Sequence, residues 1–331
     1  MQTINVIGGS GFIGTRLVHR LSNNKRLEIK ITDKAPSKAF PDLVTLGDVR
    51  SVEQLKKAIA EESVIVNLAA EHRDDVRPVS LYNDVNVAGA ENICTVAREM
   101  GVRIIIFTSS VAVYGFAPIG TDESGRIAPF NHYGRTKYEA ERIFLAWQAE
   151  APSDRTLVII RPTVVFGEQN RGNVYNLLRQ IASGKFVMVG NGENRKSMAY
   201  VENVAAFIEY ALNFRPGVHV YNFIDKPDFT MNSLVSDVYR ILGRPNEIGF
   251  RIPYSIGLLI GKAVDAVATL TRKRFAISSI RIKKFCLDSV YNSSIDQIGF
   301  IPPVSLEKAL AATIRYEFME SHEGEGVFYT E

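Results

Sequence analysis

The chain opens on a short apolar run, residues 4–7, that breaks into Gly8-Gly-Ser-Gly11-Phe-Ile-Gly14 and continues over 15–21 with apolar residues at helical spacing. The same alternation recurs downstream. Strand-like runs at 29–32, 44–47, 64–68, 104–107 and 157–160 are separated by segments of helical period. One of those segments opens on Ser51-Val-Glu-Gln54, which has the form of a capping box, and another runs over 79–100 and closes on Gly101. After Arg161-Pro-Thr163 the pattern changes to shorter helices, loops and isolated strands, with no internal repeat and no low-complexity linker.

Six strand-like runs alternating with helices predict an α/β fold, a Rossmann-type doubly wound parallel sheet. Residues 1–163 are expected to form the cofactor-binding domain. Residues 164–331 are expected to form mainly a smaller substrate-binding lobe, with some elements returning to the first domain. Within the glycine stretch, Gly9, Gly11 and Gly14 fit G-x-G-x-x-G, and Gly8, Gly11 and Gly14 fit G-x-x-G-x-x-G. Missing side chains there allow a tight turn and let backbone N–H groups approach a pyrophosphate at a helix start. Asp33 ends the second strand run, nineteen residues past Gly14. A carboxylate at that place accepts from a ribose diol and repels a 2′-phosphate, which favours NAD over NADP, with Lys34 pulling the other way. Asp48 ends the third run and is read either as a partner for an adenine amino group or as a plain turn aspartate. The small residues of Asn67-Leu-Ala-Ala70 would let a cofactor lie against the sheet edge. The charged loop Glu71-His-Arg-Asp-Asp75 beyond it is either a substrate-contacting loop or a solvated one.

The chemistry centres on Tyr133-Gly-Arg-Thr-Lys137 and on Ser110, at the end of the fifth strand run. Positions four apart share one helix face, so the phenol and the ammonium can point into one cleft. A nearby cation favours phenolate, which makes Tyr133 a candidate general base or acid near neutral pH. Ser110 would hold the oxygen that Tyr133 deprotonates.

Composition bounds the partners. With 331 residues, 46% of them hydrophobic, the chain can bury a large core, and its net charge of +3 is too small to suggest nucleic acid. Cys94 and Cys286 stand far apart with no metal-ligand spacing, so no metal site and no disulfide framework is expected, and a reducing cytoplasm fits. The strand pattern begins by Ile4, so no signal peptide is expected, and no uncharged apolar run reads as a membrane-spanning helix. One segment complicates this. Ile256, Leu259, Ile260, Ala263, Val264, Val267 and Leu270 form an apolar stripe on a helix, followed by Arg272-Lys-Arg274 and then Arg281, Lys283 and Lys284. A core helix would show the same periodicity; an apolar stripe beside basic residues also suits the cytoplasmic face of an anionic membrane.

These residues resemble the extended short-chain dehydrogenase/reductase family, in its NAD-dependent sugar epimerase/dehydratase branch. The resemblance covers nearly the whole chain: the glycine loop, Asp33, Asn67-Leu-Ala-Ala70, Ser110, Val113-Tyr-Gly115, Tyr133 with Lys137, Arg161-Pro162, Gly299-Phe-Ile-Pro302 and Ser305-Leu-Glu307. It implies that Tyr133 is the catalytic base, that Lys137 tunes it and holds the nicotinamide ribose, and that Ser110 rather than Ser109 positions the reacting hydroxyl. It further implies NAD along Gly8, Gly11, Phe12, Ile13, Gly14, Asp33, Asp48, Val49, Leu68, Ala69, Ala70, Asn86, Tyr133, Lys137 and Pro162. Val111 and Ala112 stand where dehydratases of the family carry an acidic pair, which disfavours dehydration. What remains is oxidation and re-reduction at one carbon.

Stretches including Glu71-His-Arg-Asp-Asp-Val76, Phe130-Asn-His-Tyr133, Arg171-Gly-Asn-Val-Tyr-Asn-Leu-Leu178 and Lys283-Lys-Phe-Cys286 are more similar to bacterial members that epimerise a polyprenyl-diphosphate-linked amino sugar at C4. UDP-sugar epimerases are the near neighbours, and Lys196 stands where they usually present an arginine. Arg171, Asn173, Lys196 and Arg281 are the candidates for the sugar and diphosphate. Two other readings use the same features, a 4-keto-sugar reductase and a nucleotide-sensing module that keeps the fold without the chemistry. A homodimer is allowed for.

Overall fold

The strands of the main sheet carry β-branched and other apolar residues buried on both faces, as a parallel sheet covered by two helical layers requires. Ile4, Val6, Ile31, Val66, Ile106 and Val158 pack on one side, and Ile65, Ile105, Phe107, Leu157 and Ile159 on the other. The computed structural model describes residues 1–331 apart from 74–75, 246–248, 272–277, 323 and 331. Its first half runs β1 (Gln2–Ile7), α1 (Phe12–Leu21), β2 (Leu27–Asp33), β3 (Val44–Leu46), α2 (Val52–Ala58), β4 (Val64–Asn67), α3 (Ser80–Tyr82), α4 (Gly89–Glu99), β5 (Ile104–Thr108), α5 (His132–Ala149) and β6 (Thr156–Pro162). The second half runs β7 (Val164–Phe166), α6 (Asn173–Ala182), β8 (Met188–Val189), β9 (Arg195–Tyr200), α7 (Val201–Ala211), β10 (Gly217–Phe223), β11 (Asp225–Thr230), α8 (Met231–Ile241), β12 (Arg251–Ile252), α9 (Tyr254–Thr271), α10 (Ser279–Cys286) and α11 (Leu306–Phe318).

Seven strands form the main sheet in the order β10-β6-β5-β4-β1-β2-β3, every pair parallel. The chain winds outward from β1 to β3, then returns past β1 to lay down β4, β5 and β6. Strand order therefore reverses between β1 and β4, and a ligand cleft opens beyond the carboxyl ends of strands at such a switch point. Six strand runs are legible in the sequence. The seventh strand, β10, comes from the second half and pairs with β6 from Gly217 opposite Thr156 to Phe223 opposite Pro162. From the same half, α7 packs on α1. The remaining elements build a second layer system around a three-stranded sheet, β11-β9-β7, with Leu178, Leu234, Val238, Leu310 and Ile314 in its core.

Two local features bear on the sequence expectations. The helix anticipated over 79–100 is interrupted, because α3 passes into a π-helical stretch, Asn83–Ala88, before α4 begins. That wider turn carries the buried Asn86, whose side chain accepts from the Glu71 N–H at 2.8 Å and donates to the Glu71 carbonyl at 2.9 Å and to the Thr136 hydroxyl at 3.0 Å. Insertions of this kind are frequent where a side chain is re-aimed for function.

The second concerns α9. Its apolar stripe is not packed into the core: Leu259 is 68% and Leu270 85% exposed. The face it does bury is its glycine edge, Gly257 and Gly261. A Cβ at Gly261 would stand 2.8 Å from the Ser279 Cα, so only glycine lets the α9 backbone lie this close to α10. Of the basic residues that continue this segment, Arg272-Lys-Arg274 lie outside the described residues.

A Gly261→Val substitution should therefore push α9 off α10 at a local cost of about 1–3 kcal/mol while sparing the seven-stranded sheet. Hydrogen exchange followed by mass spectrometry should show lost protection confined to 254–271 and 279–286; unchanged exchange there would mean that the close approach is not needed.

Candidate active site

The turn after β5 and the start of α5 are brought together by a backbone contact that glycine alone permits. Ser110 caps a short 3₁₀ turn, Val111–Tyr114, with its hydroxyl accepting from the Ala112 N–H at 3.1 Å. Asn131 caps α5 by accepting from the Gly134 N–H at 2.8 Å. A Cβ on Gly134 would stand 2.3 Å from the Ala112 carbonyl oxygen, so α5 can begin this near the Ser110 turn only with glycine after Tyr133. Ser110, Tyr133 and, one helical turn on, Lys137 consequently line the same cavity, whose volume is about 990 Å³.

Lys137 is 2% exposed, and burial pushes its ammonium down to about 7, with the Glu141 carboxylate opposing that shift. Its Nζ lies 4.3 Å from the Phe107 ring centroid. Glu141, a further turn along α5, is itself buried and accepts from Arg161 of β6 at 2.9 and 2.6 Å. The same guanidinium donates to the Tyr114 hydroxyl at 2.7 Å, and that hydroxyl donates to Asn222 of β10 at 2.8 Å.

Toward the other end the cavity follows the sheet edge. Gly8, Gly11, Phe12, Ile13 and Gly14 line it from the first turn, Leu68, Ala69 and Ala70 from the end of β4, and Pro162 from the end of β6. Asp33 lines it too, its two carboxylate oxygens accepting from the Ser10 and Ala35 N–H groups, each at 3.0 Å. Asp48 and Val49 are also in the wall, with Lys34 and Arg50 beside them. Arg50 grips the Asp48 carboxylate at 2.6–3.0 Å and holds it below the usual carboxylate range. Asn86 is turned to the Glu71 backbone and Thr136 instead of into the cavity, because its amide is spent on joining the β4 loop to α5.

The hydroxyls of Thr32 and Ser109 are buried, both residues line the cavity, and neither hydroxyl has a partner among the described residues. Buried polar groups without partners are costly, so both are free to meet a polar ligand. Together with the Asp33 carboxylate and the glycine turn they fit a dinucleotide laid along β1, β2 and β4.

The sequence candidates for sugar and diphosphate are only partly brought together. Asn173, first residue of α6, lines the cavity. Arg171 is turned elsewhere: it pairs with the buried Glu317 carboxylate at 2.7 Å, and its guanidinium lies 4.1 Å from the Tyr175 ring. The Lys196 ammonium donates to the Lys284 and Leu287 carbonyls at 2.8 and 2.6 Å, so it clamps the end of α10, and burial pushes it down to about 8. Arg281 sits exposed on α10. In the charged loop after β4, Glu71 and His72 line the cavity, while Asp74 and Asp75 lie outside the described residues.

The cavity wall also contains residues that the sequence reading missed: Asn170, Lys284, Asp288, Ser289, Tyr291 and Thr330. Lys284 was singled out only as part of the basic cluster after the apolar stripe and of a stretch that reads as similar to the lipid-linked epimerases, not as a cavity residue. Thr330 had no signal; it reaches the cavity because its hydroxyl donates to Asn170 at 2.6 Å across 160 residues of chain.

Known proteins bear on this geometry. The family model for the NAD dependent epimerase/dehydratase family matches residues 4–223. An N-acetyl-alpha-D-glucosaminyl-diphospho-ditrans,octacis-undecaprenol 4-epimerase of Escherichia coli O157:H7 is 47% identical over 100% of this chain and 99% of its own. A UDP-glucose 4-epimerase of Vibrio cholerae is 29% identical over 82% of this chain and 85% of its own. Among solved structures, the UDP-glucose 4-epimerase of Thermotoga maritima with UDP-glucose superposes with a TM-score of 0.74 at 21% identity, covering 95% of this chain and 98% of that one. The Thermus thermophilus UDP-glucose 4-epimerase in complex with NAD superposes with a TM-score of 0.73 at 20% identity, with the same coverage, so the fold is shared. The chain belongs to the NAD dependent epimerase/dehydratase family, and its cofactor is NAD.

Proposed function

We propose that this chain is an isomerase, an NAD-dependent sugar 4-epimerase that interconverts N-acetylglucosaminyl- and N-acetylgalactosaminyl-diphospho-undecaprenol for bacterial surface polysaccharide, O-antigen included. What carries the reading is Ser110, Tyr133 and Lys137 gathered on one cavity wall in a chain 47% identical, end to end, to a relative of that name. Bound NAD supplies a reversible acceptor for the C4 hydride. The Tyr133 phenolate would take the O4 proton when C4 is oxidised to the ketone and give it back when the ketone is reduced on its opposite face. Ser110 holds the reacting oxygen. Lys137 stabilises the phenolate when protonated and holds the ribose. Asp33 selects NAD by accepting from the ribose diol. On this reading residues 1–163 are the cofactor domain and 164–331 mainly the substrate lobe.

A lipid carrier requires the enzyme to work at the cytoplasmic face of the membrane, as a peripheral protein. The exposed stripe of α9 supports this, with Arg281, Lys283 and Lys284 on α10 beside it. Each basic residue near an anionic surface adds about 1 kcal/mol. A UDP-linked amino sugar is the competing substrate, favoured by the fold shared with UDP-sugar epimerases. A homodimer is compatible with either.

Two measurements check these roles. Purified protein incubated separately with UDP-N-acetylglucosamine and with its polyprenyl-diphosphate counterpart, followed by epimer-resolving chromatography, should give product from the lipid-linked sugar. Tyr133→Phe should give none while retaining bound NAD; near-full activity in that variant would refute the mechanism.

Lys137 generates a prediction with a definite sign. Its folded value is about 7, against about 10.4 for an exposed lysine, so between those limits the unfolded chain binds more protons and stability rises with pH. In cofactor-stripped protein, Lys137→Met should melt higher than the parent near neutral pH, by a margin that narrows toward about pH 10. A constant margin would mean that the ammonium is compensated in the fold.

Finally, the parent protein should sediment with anionic liposomes at moderate salt and a Leu259→Glu/Val267→Glu variant of intact fold should not. Equal recovery in the supernatant would remove the membrane role and favour the UDP-linked substrate.

A further inference from the structure

Where the catalytic cavity opens, two large rings face outward. Phe116 is 53% and Phe130 44% exposed, and they stack on one another with centroids 4.7 Å apart and planes at 27°. Both line the cavity that contains Ser110 and Tyr133, and Phe130 lies three residues before Tyr133. The Lys284 Nζ stands 4.6 Å from the Phe130 centroid and the Lys283 Nζ 5.8 Å from that of Phe116. Lys196 fixes this corner by holding the Lys284 and Leu287 carbonyls.

We propose that Phe116, Phe130, Lys283 and Lys284 form a seat for the junction of a prenyl diphosphate, the rings taking the first isoprene units and the ammonium groups the diphosphate. This rests on the lipid-linked reading above. The exposed ring faces add little to the core, so their apolar area is available to a ligand. A prenyl diphosphate is a branched apolar chain joined directly to a strong anion, so its seat must set an apolar wall within a few ångströms of cations. The stacked rings with two ammonium groups beside them meet that demand. Lysine binds diphosphate as a point charge on a flexible stem and can leave a ring face to do so. The apolar path also continues outward: Leu287 lines the cavity at 39% exposure, and Ile280 of α10 is 47% exposed beside the bare stripe of α9. Leu287 and Ile280 thus lie between the seat and the exposed stripe of α9.

The test is titration calorimetry on full-length, NAD-loaded protein with farnesyl diphosphate, inorganic diphosphate, farnesol and UDP as probes. Farnesyl diphosphate should bind at least about 10-fold tighter than inorganic diphosphate, as burial of several methylene groups requires. Phe116→Ser/Phe130→Ser should lose that factor and leave inorganic diphosphate affinity unchanged; Lys283→Gln/Lys284→Gln should weaken both. Retained NAD and unchanged circular dichroism verify the fold of each variant. Equal affinity for the two diphosphates, or a prenyl increment that survives loss of both rings, overturns the proposal. So does tighter, ring-dependent binding of UDP, which would make this a base-stacking seat. The two readings fail separately. Turnover of the UDP-linked sugar alone removes the lipid-linked function, whereas parental turnover of the lipid-linked sugar by the Phe116→Ser/Phe130→Ser variant removes only the seat.

Discussion

The guanidinium of Arg161 is the contact on which the catalytic geometry depends. It is buried at the end of β6, engages both oxygens of Glu141 on α5, and reaches Tyr114 at the end of the Ser110 turn. Tyr114 in turn reaches Asn222 on β10. One side chain therefore couples the helix that carries Tyr133 and Lys137, the turn that carries Ser110, and the strand contributed by the second half of the chain. Removing one member of a buried pair leaves an uncompensated charge at a cost of about 3–5 kcal/mol, which explains why such a group can hold three elements in register. Glu141 has a second effect. Its negative charge one helical turn from Lys137 opposes the desolvation that would otherwise strip the ammonium of its proton.

The layout of the sheet was legible because parallel strands buried on both faces leave continuous apolar runs, and glycine turns leave gaps between them. β10 was not legible as part of that sheet, since it comes after the second lobe's first elements in sequence and four of its seven residues are partly buried or exposed at the sheet edge. The π-helical stretch was invisible for a different reason. A one-residue widening barely disturbs apolar periodicity over 79–100, yet it decides where Asn86 points.

Among site residues, the legible ones sit where backbone geometry constrains the chemistry: the glycine turn, the ends of β2 and β4, and the helical spacing of Tyr133 and Lys137. The diphosphate candidates were harder, because an arginine or lysine in a loop carries no local signal of its partner. Arg171 is drawn to Glu317. Lys196 lies opposite two carbonyls at the end of α10. Both partners are far away in sequence, and both contacts exist only because α10 and α11 fold back over the second lobe. The same folding back brings Lys284, Asp288, Ser289 and Tyr291 into the cavity wall.

The distribution of charge along the cavity bears on how a sugar could turn over inside it. At one end Asp33, held by two backbone N–H groups, suits a ribose diol; at the other, Lys284 with Lys283 beside it suits an anion. Between them lie Ser110, Tyr133 and the desolvated Lys137, in a stretch whose carbon-rich walls include Val111, Ala112 and Leu81. Epimerisation requires the keto sugar to present its second face without leaving, so the strongest contacts should fall on the carrier and the weakest on the ring that rotates. On the proposed reading, the Lys283 and Lys284 ammonium groups at the mouth hold the diphosphate, and the ring that turns meets Ser110 and Tyr133 further in. On that proposal the carrier is chosen at the mouth, by the groups on α10 and the paired rings facing them, and not at the carbon that reacts.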